Sequence, residues 1–221
     1  FALGGHSLLA MQLVSRVERQ LSMTFALKQL FASPQLHALA SGLSLLEEAL
    51  APIEHVERSG PIPLSWSQQR LWFIAQLDPR ASRAYHMSGS LRLTGRLDVA
   101  ALRQSLDALL SRHEVLRTAL VKTEGGEPVQ VISPHARFAL RQVDLSGLAV
   151  EAQAGALDAE QAAESEAAFD LSTGPLIRGC LLSLGRQGQD EASWVLLVTM
   201  HHIVSDGWSV GVFLRELGAL Y

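Results

Sequence analysis

Residues 194–208 read WVLLVTMHHIVSDGW, and this stretch decides the fold class of most of the chain. The apolar run from Trp194 to Met200 predicts a buried β-strand. A polar segment, HHIVSDG, follows the strand at once, and Ser209–Tyr221 predicts a helix after it. A strand, a polar turn and a helix in direct succession indicate a mixed α/β architecture.

The residues upstream continue this mixture of helices and strands. Apolar residues at helical spacing predict helices over 67–77, 98–113 and 154–169. Alternating or apolar runs predict strands over 86–93, 117–122, 129–132, 138–143 and 176–184, with the second and third joined in a hairpin. We therefore predict an α/β domain over residues 62–221.

The first 46 residues have a different pattern and predict a small all-helical unit. Apolar positions behind Ser7 predict a helix to about Gln20, and a helical turn is expected around Lys28–Phe31. Ser33-Pro34 is a helix-start signal for a further helix. Residues 47–61, with charged residues, a Ser-Gly pair and prolines nearby, predict a linker between the two parts.

Composition excludes several classes of function. The 221 residues carry a net charge of −4 without a basic stripe, which argues against nucleic-acid binding. Cys180 is the sole cysteine, so a disulfide framework is excluded and a reducing, cytoplasmic location is favoured. Apolar runs fall short of the ~20 residues of a membrane helix. The chain begins inside a motif at Phe1 and ends inside a predicted helix at Tyr221, so we expect it to be part of a longer protein.

The paired histidines could be metal ligands, but their adjacent positions on a strand argue against a shared metal ion. Adjacent residues of a strand point to opposite faces, and no third ligand accompanies His201 and His202, so no metal site is predicted. An imidazole that titrates near neutrality can instead accept a proton from an attacking amine. From these residues alone, two structural histidines before an Asp-Gly turn remain an alternative.

Ser7 is the second residue with a chemical signal. It follows Gly4-Gly5-His6 at a predicted helix start, where glycines permit close approach and free N–H groups favour a phosphate. From this pattern alone, a plain serine N-cap remains the alternative.

The longer string FALGGHSLLA (1–10), with Leu13, Arg16 and Val17, resembles the carrier domains of nonribosomal peptide synthetases. The resemblance covers 1–46 and lacks the family's first helix. It implies a covalent 4′-phosphopantetheine on Ser7, attached by a phosphopantetheinyl transferase. The thiol of the phosphopantetheine holds an aminoacyl or peptidyl group. A fatty-acid-type carrier is the nearest alternative, and it usually has Asp where this chain has His6.

The pattern HHxxxDG at 201–207 resembles the active-site motif of condensation domains and of chloramphenicol-acetyltransferase-like enzymes. SWSQQRLWF (65–73) and RHEVLRT (112–118) resemble two further motifs of the same family. The resemblance covers 62–221 and implies the N-terminal lobe of an α/β, chloramphenicol-acetyltransferase-like fold. It also implies amide-bond formation from a carrier-bound thioester, without a metal. Because the resemblance covers the N-terminal lobe only, we expect the isolated fragment to be inactive.

The same resemblance assigns roles to individual residues. His202 is the catalytic residue, and His201 is structural. Asp206 organises the loop through a salt bridge, and Gly207 lets the turn form and directs its N–H towards the reacting carbonyl. The resemblance makes Arg70 and Arg117 candidates to pair with Asp206 or another buried acid.

Two alternatives within this resemblance stay open. Epimerisation domains share the histidine motif, and a catalytically silent domain would act only as a carrier-binding module. His6, where carriers ahead of epimerisation domains tend to have Asp, favours condensation. The implied partners are an upstream adenylation domain and downstream carrier and adenylation domains, and neither nucleic acid nor a membrane is expected.

Overall fold

The computed structural model describes residues 7–33, 35–45, 57–58, 60–186 and 192–221. The chain divides into two compact units, Phe1–Glu57 and Arg58–Tyr221.

The first unit consists mainly of short helices. Its elements are α1 (Ser7–Leu21), β1 (Met23–Thr24), α2 (Leu27–Ala32), α3 (Leu36–Ser41) and β2 (Ser44–Leu45), and the two short strands pair antiparallel. The expected helix behind Ser7 and the helical turn after it are present. The predicted start of the next helix is wrong, because Ser33 ends α2 and Gln35 is the N-cap of α3. Pro34 lies outside the described residues.

The second unit has mixed helices and strands, as the sequence predicted. Its elements are β3 (Ile62–Pro63), α4 (Trp66–Leu77), α5 (Pro79–Arg83), β4 (His86–Thr94), α6 (Val99–Arg112), a 3-10 turn (Glu114–Arg117), β5 (Thr118–Lys122), β6 (Pro128–Ile132), β7 (Ala139–Asp144), α7 (Val150–Glu166), β8 (Ile177–Arg186), β9 (Ala192–His201) and α8 (Gly207–Leu220). The predicted hairpin is the antiparallel pair β5–β6. The short α5 and the 3-10 turn were not predicted, although Asp78-Pro79 is a helix-start signal for α5.

The strands of this unit form two sheets. A three-stranded sheet has the order β3-β6-β5, and a four-stranded sheet has the order β4-β9-β8-β7. In the larger sheet, β7 and β8 are parallel and the other neighbours are antiparallel. Strand β9 is therefore central, with β4 along one side and β8 along the other.

Both faces of the larger sheet are covered, which explains the near-continuous apolar runs of β8 and β9. Leu106 and Leu109 of α6 and Phe213 of α8 pack on one face with Leu196 and Met200. On the other face, α7 contributes to a cluster that includes Cys180, Leu182, Val195 and Leu197. Because the strand alternates, its last residue, His201, falls on the face of Val195 and Leu197.

The starts of helices α4 and α6 are set by side-chain caps. Ser65 and Gln68 form a capping box at the start of α4, and Asp98 accepts hydrogen bonds from the first N–H groups of α6. In the part of the chain that the structure describes, no helix is long and apolar enough to cross a membrane.

Candidate active site at the end of strand β9

The backbone of the HHIVSD segment forms a compact turn anchored to strand β4. His86 is paired with His201 at the end of the β4–β9 ladder. The N–H of His202 then donates to the carbonyl of Tyr85 at 2.8 Å, and the N–H of Val204 donates to the carbonyl of His201 at 3.1 Å. The turn thus has a defined backbone path in which His201 and His202 occupy different surroundings.

The imidazole of His201 is fully buried and has both ring nitrogens engaged. Its Nδ1 accepts a hydrogen bond from the Ile203 N–H at 3.1 Å, so the ring proton of the neutral form lies on Nε2. That Nε2–H donates to Ser82 Oγ at 3.0 Å. Burial above all, with smaller contributions from His86 and His202, lowers the pKa of His201 to about 4. This geometry supports a structural role for His201.

The depressed pKa of His201 makes the stability of the second unit pH-dependent. The unfolded chain binds this proton near pH 6.5 and the folded unit only near pH 4, so stability is lost as pH falls between those values. We expect the free energy of unfolding to be about 2 kcal/mol lower at pH 5 than at pH 7 from this group. Calorimetry of the complete protein at pH 5 and pH 7 would measure this difference for the unfolding transition of the second unit. The difference should be smaller in His201→Asn, which lacks the titrating ring. The same pH dependence in that variant would contradict the assignment.

His202 is exposed, and one of its ring nitrogens is fixed. Its Nδ1 lies 2.6 Å from the carbonyl oxygen of Ser205. A carbonyl only accepts, so Nδ1 carries the proton and the neutral ring keeps its lone pair on Nε2. The result is an oriented, solvent-accessible base on a turn whose flanking residues, His201 and Ile203, are buried.

Asp206 organises the start of helix α8 by hydrogen bonds. Its carboxylate accepts from the Ser209 N–H at 2.8 Å and from Ser209 Oγ at 2.6 Å, which completes a capping box. The hydrogen bonds from Ser209 lower the pKa of Asp206, so the carboxylate is ionised at neutral pH. Asp206 therefore stabilises the end of the turn and the helix that follows it.

The resemblance made Arg70 and Arg117 candidates to pair with Asp206 or another buried acid, and within the described residues neither arginine pairs with Asp206. Arg117 lies 3.7 Å from Glu114 and donates to the carbonyls of Ser133 and Ser111. Its place in the 3-10 turn beside β6 accounts for these partners. Over the described ranges, Arg70 is exposed on α4 and makes no ion pair.

Gly207 is the first residue of α8, directly after the N-cap Asp206. Glycines with positive φ in the described chain are Gly95, Gly126, Gly174 and Gly185. Because Gly207 is not among them, the expectation that its conformational freedom forms the turn is not supported.

Sequence reasoning missed the residues that surround His201. Ser82 comes from α5, and the ring of Phe169 lies edge-on to the rings of His86 and His201, with centroids 5.1 and 6.2 Å apart respectively. Arg178 stacks on Phe169 at 4.0 Å. These residues come from separate elements, and no local pattern in the sequence joins them.

Two of these residues also hold the C-terminal end of helix α7. Arg178 pairs with Glu164 at 2.7 Å and donates to the carbonyls of Glu164 and Ala167. His86 Nδ1 donates to the carbonyl of Ser165 at 2.8 Å. Donors at these last carbonyls satisfy groups that the helix leaves without partners. The packing around His201 is thereby tied to α7.

Ser7 stands at the beginning of helix α1. The preceding residues, including Gly4, Gly5 and His6, lie outside the described residues. A helix start fits a phosphodiester because its N–H groups and dipole favour an anion. For metal binding, no group of three or more His, Cys, Asp or Glu side chains suited to an ion occurs among the described residues.

Two protein families match the chain, one for each unit. The family described as "Condensation domain" matches residues 58–221, and the family described as "Phosphopantetheine attachment site" matches residues 1–43.

Known proteins that resemble the chain are much longer than it is. Malpinin synthetase of Mortierella alpina is 48% identical over 225 residues, and a linear gramicidin synthase of Brevibacillus parabrevis is 40% identical over 226 residues. Each match covers 100% of this chain and 3% of the relative. The solved first condensation domain of the calcium-dependent antibiotic synthetase is 27% identical with a TM-score of 0.61, covering 72% of this chain and 36% of that one.

Proposed function

The chain belongs to the condensation-domain family, with a phosphopantetheine attachment site ahead of that domain, and we propose that it forms amide bonds in a nonribosomal peptide synthetase. The carrier part would occupy 1–46, a linker 47–61 and the condensation part 62–221. The two compact units, Phe1–Glu57 and Arg58–Tyr221, support this division.

The geometry of the His202 ring carries the proposal for the chemistry. Because Nδ1–H is donated to the Ser205 carbonyl at 2.6 Å, Nε2 is the free acceptor. An amine that attacks a thioester carbonyl must lose a proton as the C–N bond forms, and His202 Nε2 can orient the amine and accept that proton. As the C–S bond breaks, the same proton can pass to the leaving thiolate, which leaves the imidazole neutral.

Ser7 is the proposed attachment point for the donor arm. The phosphopantetheine thiol would hold the donor acyl group as a thioester. Before the acyl group is loaded, a phosphopantetheinyl transferase must attach the arm to Ser7. An upstream adenylation domain would supply the donor, and the attacking amine would come from a downstream carrier loaded by its own adenylation domain.

The buried surroundings of His201 favour a transferase role over a silent carrier-binding module. A domain that only binds a carrier has no need of an exposed imidazole with one fixed tautomer. Here the neighbouring ring is buried and engaged at both nitrogens, while His202 keeps an accessible acceptor. This contrast between adjacent histidines supports His202 as the group that accepts the proton of the attacking amine.

An assay in D₂O tests condensation against epimerisation. The complete protein, loaded with its aminoacyl donor and supplied with a loaded downstream carrier, is expected to transfer the acyl group without gaining deuterium at the donor Cα. Mass spectrometry of the bound product measures both outcomes. Deuterium at Cα without amide product would favour an epimerase and reject the proposal.

A further inference from the structure

Ile203, the residue after His202, has both backbone polar groups held by side chains. Its N–H donates to His201 Nδ1 at 3.1 Å, and its carbonyl accepts from Gln68 Nε2 at 3.3 Å. Its side chain is also buried. The direction in which the chain leaves His202 therefore depends on two side chains, those of His201 and Gln68.

The amide of Gln68 is itself fixed at the other end. Its Oε1 accepts from the Ser65 N–H at 3.0 Å within the capping box of α4. Because this hydrogen bond restricts rotation of the amide group, Nε2 is directed to the Ile203 carbonyl. Below this contact, Leu64 and Trp72 pack in one buried cluster with Ile203 and Val204. Gln68 thus joins a rigid helix start to the turn that carries His202.

We propose that Gln68 is a positioning residue that sets the orientation of His202 through the carbonyl of Ile203. This inference rests on the proposed amide-forming function of His202. Gln68 touches no reacting atom and acts only through the turn. Small displacements of a catalytic group lower rates steeply, by as much as about 100-fold for 1 Å.

Two opposite substitutions of Gln68 separate this role from simple helix capping. Gln68→Glu keeps an oxygen for the Ser65 N–H but places a carboxylate oxygen against the Ile203 carbonyl. Gln68→Lys keeps a donor for that carbonyl but removes the capping oxygen. We expect Gln68→Glu to lower kcat for amide formation by about 10- to 100-fold, with KM for the loaded acceptor carrier unchanged. Gln68→Lys should be faster than Gln68→Glu, because it restores a donor to the Ile203 carbonyl, despite a lower Tm.

The neighbouring Gln69 offers a matched control. Its Nε2 donates to the carbonyl of Leu64 at 3.2 Å, so Gln69→Glu removes a comparable hydrogen bond at the same helix start without touching the turn. Single-turnover amide formation in the complete, loaded protein would be measured for all three variants over a range of concentrations of the loaded acceptor carrier, with carrier loading and Tm measured in parallel. Gln69→Glu should keep a rate close to that of the wild type.

The outcomes distinguish failure of this inference from failure of the proposed function. Equal rates for Gln68→Glu and Gln69→Glu, or a slow Gln68→Lys beside a fast Gln68→Glu, would overturn the positioning role. If Gln68→Glu does not fold, Gln68→Leu takes its place, because it removes the donor to the Ile203 carbonyl without adding a charge, and a wild-type rate in that variant would overturn the positioning role. If His202→Ala forms product normally in the same assay, the proposed function itself is rejected.

Discussion

His202→Ala in the complete protein is expected to reduce amide formation by about 10²- to 10⁴-fold, the range that a positioned acid–base group contributes. The substitution removes Nε2 of His202, the exposed ring nitrogen of this turn that carries no proton in the neutral ring. His201 cannot replace it, because it is buried with its two nitrogens bound to Ser82 and Ile203. Rapid-quench measurement of product on the downstream carrier would give the rate.

The control for this substitution is a histidine outside the site. His135 is exposed in the loop before β7, and His135→Ala is expected to leave the rate within about 2-fold, as is usual for surface changes remote from a site. Loading of the upstream carrier should be equal in both variants. Product formation by His202→Ala at the wild-type rate would remove His202 from the chemistry.

Ser7→Ala is expected to abolish covalent loading altogether. Attachment of phosphopantetheine forms a phosphodiester with the serine oxygen, and alanine has no oxygen to form it. Intact-protein mass spectrometry after incubation with a phosphopantetheinyl transferase and coenzyme A should show the mass gain of one arm in the wild type and none in the variant. Donor transfer should disappear with it.

A second serine of the same helix provides the comparison. Ser15 lies in the middle of α1, two turns beyond Ser7, and Ser15→Ala should gain the same mass as the wild type. Retention of the full mass gain by Ser7→Ala would place the arm elsewhere. Loss of the mass gain in both variants would indicate that the substitutions disrupt helix α1, rather than that one hydroxyl is the attachment point.

Local sequence patterns predicted most of the secondary structure, because caps and periodicity act within one element. Asp98 before an apolar stripe predicted α6, and the structure places Asp98 at its N-cap. The run from Trp194 to Met200 predicted β9, since a strand buried on both faces is mostly apolar. The failed start at Ser33 shows the limit: the same residue that can begin one helix can also end the helix before it.

The sequence by itself determined the two-part organisation, the mixed class of the second unit and the positions of the serine and histidine motifs. Each of these follows from residue types and spacing within a short segment. The resemblance named His202 as catalytic and His201 as structural, but only the tertiary structure decided the physical difference between the two rings. Ser82 and Gln68 reach the turn from 119 and 135 residues away along the chain, and no local pattern encodes such contacts.

The partner of Asp206 is local. The resemblance made Arg70 and Arg117 candidates to pair with Asp206, yet its carboxylate is satisfied by Ser209 three residues later, because α8 begins immediately after it. Adjacent residues at a strand end face opposite sides, and packing then buries one and exposes the other. That physical difference turns a pair of identical side chains, His201 and His202, into one structural ring and one accessible base.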